Sequence, residues 1–156
     1  MARVGFGYDS HRFAPGRALV LGGVPIEHDA GLAGHSDGDA VLHAITDAIL
    51  GALAAGDIGE HFPPGDARWE NADSSIFVGR AIELARAHGC RVMNCDVTVL
   101  AERPKLGPYK QAMRQRIAEL LHTAVDNVSV KAKTSEGMGH IGRGEGLAAL
   151  AAVMLG

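Results

Sequence analysis

The chain has 156 residues, 47% hydrophobic and 21% charged, a balance that fits one globular domain over residues 1–156 with a real core. A formal net charge of −3 gives no electrostatic footprint for nucleic acid, and no apolar run approaches the roughly 18 residues of a membrane span. Neither partner is expected.

The elements follow in order. Arg3–Tyr8 reads as a strand, and Ala18–Val24 as a second that ends at Pro25. Gly31–Asp37 reads as a polar loop, and Asp37 or Asp39 can cap the helix behind it. Leu42, Ile45, Ile49 and Leu53 give that helix an apolar stripe ending near Gly56. Asp57–Asp73 is the longest irregular stretch, with the features of a functional lid. Asp73 or Ser74 caps a second helix that Gly89 stops. Arg91–Leu100 is β-rich, Gly107-Pro108 opens a third helix, and Asn127–Lys133 alternates as a strand does. Thr134–Glu145 is a glycine-rich loop. The Ala-rich run Leu147–Leu155 fits a helix by propensity and a buried strand by its continuous apolarity, and it hints at burial against other copies of the chain. Helices following short strands predict an α/β (α+β) two-layer sandwich, a mixed sheet with helices on one face. The 21 glycines, many clustered in Asp-, His- and Ser-rich loops, allow close backbone approach to a ligand or another subunit. Met1–Gly5 lacks the form of a signal peptide, and Cys90 and Cys95 fit neither CxxC nor a disulfide framework, so a cytoplasmic setting is expected.

The most informative residues are Asp9, His11 and His43. On a strand, Asp9 and His11 project to one face. His43 lies in the helical pattern Gly38–Asp47, with Asp39 and Asp47 on the same stripe. One carboxylate and two imidazoles with an open fourth position suit catalytic zinc, although iron and manganese use such sets too. Asp47 either orients the His43 ring from behind the metal or faces substrate. The loop His35-Ser36-Asp37-Gly38-Asp39 runs into a helix N-terminus, where backbone N–H groups can hold phosphate. Thr134-Ser135-Glu136 and Arg143 also suit phosphate, and Glu136 suits a hard cation such as Mg²⁺. Arg143 reads equally as the partner of an intersubunit ion pair.

Four strings then converge on one resemblance: Gly7-Tyr8-Asp9-Ser10-His11-Arg12-Phe13; Gly34–Asp39 with His43, Asp47 and Gly51; Asp57-Ile58-Gly59 with Phe62-Pro63; and Lys131–Glu136 with Gly142–Gly146. In this order they resemble the 2-C-methyl-D-erythritol 2,4-cyclodiphosphate synthase family over the whole chain. The resemblance implies ring closure of a cytidine diphosphate ester with release of CMP, in the non-mevalonate route to isoprenoids. It implies zinc on Asp9, His11 and His43, and a second ion, Mg²⁺ or Mn²⁺, bridging the substrate phosphates near Glu136. It gives His35 and Thr134 roles at the transition state. Substrate contacts are implied for Asp9, Ser10, His11, His35, Ser36, Asp57, Ile58, Gly59, Phe62, Pro63, Pro64, Gly65 and Asp66. They are also implied for Lys133, Thr134, Ser135, Glu136, His140 and Arg143. Ala101, Glu102, Arg103, Pro104, Lys105, Leu106 and Gly107 match a loop that cups cytosine from a neighbouring subunit of a homotrimer, whose sheets pack around the trimer axis. Lys133, His140 and the Ala101–Arg103 triplet depart from residues common in the family. Two other readings stay open: a zinc-dependent phosphoester hydrolase, and a non-catalytic nucleotide-binding trimer with structural zinc.

Overall fold

Strand β1 runs from Arg3 to Pro15, well beyond the Tyr8 end that its apolar run suggests, in a computed structural model that describes all 156 residues. Pairing rather than hydrophobicity holds the second half of β1. Asp9, Ser10, His11 and Arg12 lie opposite Ala149, Ala148, Leu147 and Gly146 of β7 (Gly146–Leu155), and Phe13–Pro15 pair with β4 (Ala30–Leu32). The expected strand Ala18–Val24 is instead a hairpin of β2 (Leu19–Leu21) and β3 (Val24–Ile26). Gly22 and Gly23, at φ 60° and 72°, supply the left-handed turn between them. The stretch from Gly31, expected as loop, is strand through Leu32.

Leu147–Leu155 is strand, not helix. β7 is the middle strand of a sheet ordered β4-β1-β7-β5-β6, antiparallel to β1 and to β5 (Val92–Leu100), while β6 (Val128–Lys133) runs parallel to β5. Two flanking ladders along its length outweigh the helical preference of alanine.

The helices cover one face of this mixed sheet, giving the expected α+β sandwich. α1 (Ala40–Ala52) lies on β1 and β7, α4 (Lys110–Leu121) lies on β6, and α3 (Ser75–Ala87) seats against α1 and α4. Leu147, Ala149, Ala151, Val153 and Leu155 of β7 join Cys95, Val97 and Val99 of β5 in one continuous core beneath the helices. α1 stops at Ala52 rather than near Gly56, and a 3-10 turn (Gly107–Tyr109) precedes α4. The Asp57–Asp73 stretch contains α2 (Ile58–His61) and a 3-10 turn (Ala67–Trp69), and the Thr134–Glu145 loop contains α5 (Gly139–Gly142). No helix is long and apolar enough to cross a membrane.

Gly5 and Gly7 set the spacing between the layers. A Cβ on Gly5 would stand 1.7 Å from the Ala48 carbonyl oxygen, and one on Gly7 would stand 1.9 Å from that of Ala44. β1 therefore rests on the backbone of α1. At these two glycines the close approach is to the chain's own helix, and it brings the β1 residues Asp9 and His11 beside His43 of α1.

Candidate metal centre and adjoining clefts

Asp9 Oδ2 stands 2.7 Å from His11 Nε2 and 3.0 Å from His43 Nδ1, and the two nitrogens are 3.3 Å apart. Zinc bonds of about 2.0–2.1 Å in tetrahedral array put ligands roughly 3.3 Å from one another. The donors thus already hold nearly the separations that a single small ion imposes, and no side chain occupies a fourth place. The residue types and the geometry both fit a divalent metal with an open position.

The surroundings prepare the three groups. His11 Nδ1 donates to the Ala33 carbonyl, which directs Nε2 at Asp9. Burial pushes the His11 imidazolium down, but hydrogen bonding and charge attraction from Asp9, helped by Ala33, carry it above its ordinary value. Burial likewise lifts the Asp9 carboxyl, and the hydrogen bonds with His11 and His43 more than reverse this, leaving it below the usual range. His43 Nε2 faces away, 2.9 Å from Ser74 Oγ and 3.1 Å from Ser36 Oγ, and its ring leans on Phe77.

Asp47 does not orient His43. Its Oδ1 accepts the Ile58 N–H at 2.8 Å and so anchors the start of α2. A helix turn carries position 47 past the ring, and the ring's free nitrogen turns toward α3 instead. Burial raises the Asp47 carboxyl, against the pull of that N–H. Of the two capping candidates, Asp39 caps α1 by accepting from Leu42 N at 3.0 Å, and it also accepts from Gly22 N and Gly23 N at 2.9 and 2.7 Å, tying the hairpin to the helix. Complete burial pushes Asp39 up to about 6 despite these donors. Asp37 accepts from Asp39 N and Ser74 N instead.

A cleft of about 260 Å³ opens beside the triad. His35, Ser36, Ile58, Gly59 and Phe62–Asp66 line it, together with Gly34 of the same loop motif and with Trp69 and Phe77, which the sequence did not mark as site residues. Asp57 does not line the cleft; its Oδ1 caps α2 through Glu60 N at 3.0 Å. Arg17 was also missed: it donates to the Gly34 and Ser36 carbonyls and holds the His35 loop, although nothing in its sequence context marks it.

Ala101, Glu102, Pro104–Gly107, Lys133 and Thr134 gather around a second cleft of about 320 Å³. There Glu102 Oε1 accepts from Ser135 N at 2.8 Å and Gly137 N at 3.2 Å, and Thr134 Oγ1 donates to Glu136 Oε1 at 3.1 Å. Ser10 and His140 line a third hollow with His11. Arg143 pairs with Glu145 of its own chain at 2.7 Å. Within one chain, then, Thr134 lines a different cleft from the triad.

Comparison with known proteins bears directly on this arrangement. The model of the YgbB family matches residues 2–156. A protein of Xanthomonas axonopodis pv. citri (strain 306) named 2-C-methyl-D-erythritol 2,4-cyclodiphosphate synthase is 60% identical over 154 residues, 99% of this chain and 93% of that protein. A solved 2C-methyl-D-erythritol-2,4-cyclodiphosphate synthase in its CDP-bound form superposes with a TM-score of 0.91 at 39% identity, covering 99% of this chain and all (100%) of that one. The bifunctional IspDF of Campylobacter jejuni superposes at 0.95 with 44% identity, and there 99% of this chain spans 42% of the larger one. Matched along nearly its whole length in both sequence and fold, the chain belongs to the YgbB family, to which it brings an Asp-His-His centre of the geometry described above.

Proposed function

We propose that this protein converts 4-diphosphocytidyl-2-C-methyl-D-erythritol 2-phosphate to 2-C-methyl-D-erythritol 2,4-cyclodiphosphate and CMP. An oxygen of the 2-phosphate attacks the β-phosphorus. One P–O bond forms, the bond from the β-phosphorus to the oxygen that leaves with CMP breaks, and the ring closes. The observation that carries this reading is the convergence of Asp9, His11 and His43 at one end of a cleft lined by His35 and Ser36.

Phosphoryl transfer asks for positioning and charge neutralisation more than for covalent help. A zinc ion on the triad supplies Lewis acidity to a phosphoryl oxygen. His35, which lines the cleft, donates to the charge that develops on the reacting phosphate. Phe62–Asp66 close over the erythritol portion and exclude water. In the second cleft, Glu102 holds the N–H groups of Ser135 and Gly137, which fixes the loop bearing Thr134 and Glu136. With Glu136 engaged by a cation, the Thr134 hydroxyl is released from that carboxylate to donate to a phosphate oxygen, and Pro104–Leu106 pack against the base. A lone carboxylate such as Glu136 suits Mg²⁺ or Mn²⁺, which take most of their other ligands from phosphates and water.

The two clefts belong to one site when a neighbouring copy supplies the second. At about 260 and 320 Å³ each cleft stands at or below the low end of the roughly 300–1,000 Å³ that ligand pockets span, and joined they reach well into that range. The sheet face opposite the helices offers the contact surface. Val4, Phe6 and Tyr8 of β1 are exposed there beside Met154, Ala152 and Leu150 of β7. Apolar patches of this kind mark interfaces. This face supports assembly as a homotrimer with sites at its subunit interfaces, and the free thiols Cys90 and Cys95 suit a reducing cytoplasm.

Incubation with substrate, read by phosphorus NMR, tests the reaction. A cyclic diphosphate and CMP, both abolished by a zinc chelator, are expected. A linear phosphate product would instead establish the hydrolase, a reading that the named relatives do not favour.

A further inference from the structure

His43 has two ring nitrogens, and only Nδ1 faces Asp9 and His11. What holds the ring this way round lies behind it. Nε2 is 2.9 Å from Ser74 Oγ and 3.1 Å from Ser36 Oγ. Ser74 Oγ also hydrogen-bonds Asp37 Oδ1, while Asp37 Oδ2 accepts the Ser74 backbone N–H at 3.1 Å. A serine hydroxyl has one proton, and an ionised carboxylate has none to give. The Ser74 proton is therefore committed to Asp37, and toward His43 the hydroxyl can only accept. Ser36 differs. Its hydroxyl accepts the Gly38 N–H at 3.2 Å but has no carboxylate to claim its proton, so it can follow either protonation of the ring.

We propose that Asp37 and Ser74 form a hydrogen-bond relay that holds the rear of the His43 ring at Nε2 and thereby turns Nδ1 toward Asp9 and His11, making Ser74 a positioning residue of the metal centre. The proposal rests on the metal-centre reading above. Ser74 is fully buried at the start of α3, on an element that contributes none of the three donors, so α3 and the Asp37 loop set the ring from outside β1 and α1. Without the Ser74 hydroxyl, Nε2 keeps only Ser36, whose hydroxyl no carboxylate fixes, and nothing rigid behind the ring holds Nδ1 on the side of Asp9 and His11.

The test uses Ser74→Ala, Ser74→Thr and Asp37→Ala in the full chain, with cobalt(II) as probe. Visible absorption under chelator competition gives affinity without turnover, and the shape of the cobalt ligand-field bands reports whether the ligand arrangement is kept. The expected result is a roughly 10- to 100-fold loss of cobalt affinity in Ser74→Ala, recovery to within about threefold in Ser74→Thr, and parent-like bands in Ser74→Thr but not in Ser74→Ala. Asp37→Ala, which touches no metal ligand, should shift both readouts in the same direction. Unchanged affinity in Ser74→Ala overturns the relay, as does a loss of affinity that Ser74→Thr leaves unrecovered. Failure of the parent chain to bind cobalt at all sinks the metal centre itself, which separates the two ideas.

Discussion

Replacing Gly7 by alanine should empty the metal centre without touching a ligand. A Cβ there would lie 1.9 Å from the Ala44 carbonyl oxygen and 2.9 Å from Ala48 N, both backbone atoms of α1 that cannot rotate aside. Opening 1.9 Å to a tolerable 3.0 Å moves β1 and α1 apart by about 1.1 Å. Asp9 and His11 ride on β1, and His43 precedes Ala44 on α1. The displacement therefore falls directly between the donors, where metal bonds tolerate only about 0.2 Å. Overpacking of this severity costs about 3 kcal/mol. At roughly 2–4 °C per kcal/mol for a chain of this size, Tm should fall by roughly 6–12 °C. The assay pairs a thermal melt with zinc content by mass spectrometry, and bound zinc should drop from one per chain to a small fraction of that. A Gly7→Ala protein that kept full zinc and its parent Tm would refute the idea that this contact sets the ligand spacing.

Further consequences concern the lid, the pH response and the sheet face. Asp47→Ala removes the acceptor of the Ile58 N–H, so it should cost about 1 kcal/mol and raise KM while zinc content stays intact; lost zinc would return Asp47 to the metal. In metal-free protein the His11 value is raised, so its stabilising contribution is complete below the ordinary pH 6.5 and is lost as pH rises through the folded value. Metal binding runs the opposite way, because it needs Nε2 without its proton. Zinc affinity should climb with pH up to the raised His11 value and level off above it, and a flat profile from pH 6 to 9 in chelator competition would contradict the pairing. Phe6→Asp places charge on the uncovered sheet face, where Phe6 is 63% exposed in the single chain, and light scattering should show monomers without turnover.

Local pattern carried the ligand triad. Asp9 and His11 keep strand alternation and His43 keeps helical spacing, so three donors could be matched before any geometry was known. Most of what was misjudged or left open shares one cause, a partner distant in sequence. β1 continues past Tyr8 because β7 and β4 pair with it, and β7 is a strand because β1 and β5 flank it. The Ala18–Val24 misreading is different: the Gly22-Gly23 turn was present in the chain, and the apolar residues on either side masked it. Helical spacing allowed Asp47 either behind His43 or toward substrate, whereas the ring's rear partner is Ser74, thirty-one residues away at the start of another helix. No periodicity reports such a contact. Glu102 was read as a substrate contact, and its role in fixing the Ser135–Gly137 backbone depends on a loop more than thirty residues downstream.

The central claim is that Asp9, His11 and His43 share one ion that keeps a vacant coordination position. Anomalous diffraction recorded on both sides of the zinc edge, from crystals grown with zinc and a cytidine diphosphate ligand, addresses it most directly. The account predicts a single peak within bonding distance of Asp9 Oδ2, His11 Nε2 and His43 Nδ1, with a phosphate oxygen as the fourth neighbour. A map without that peak, or an ion closed by a fourth protein side chain, would contradict it.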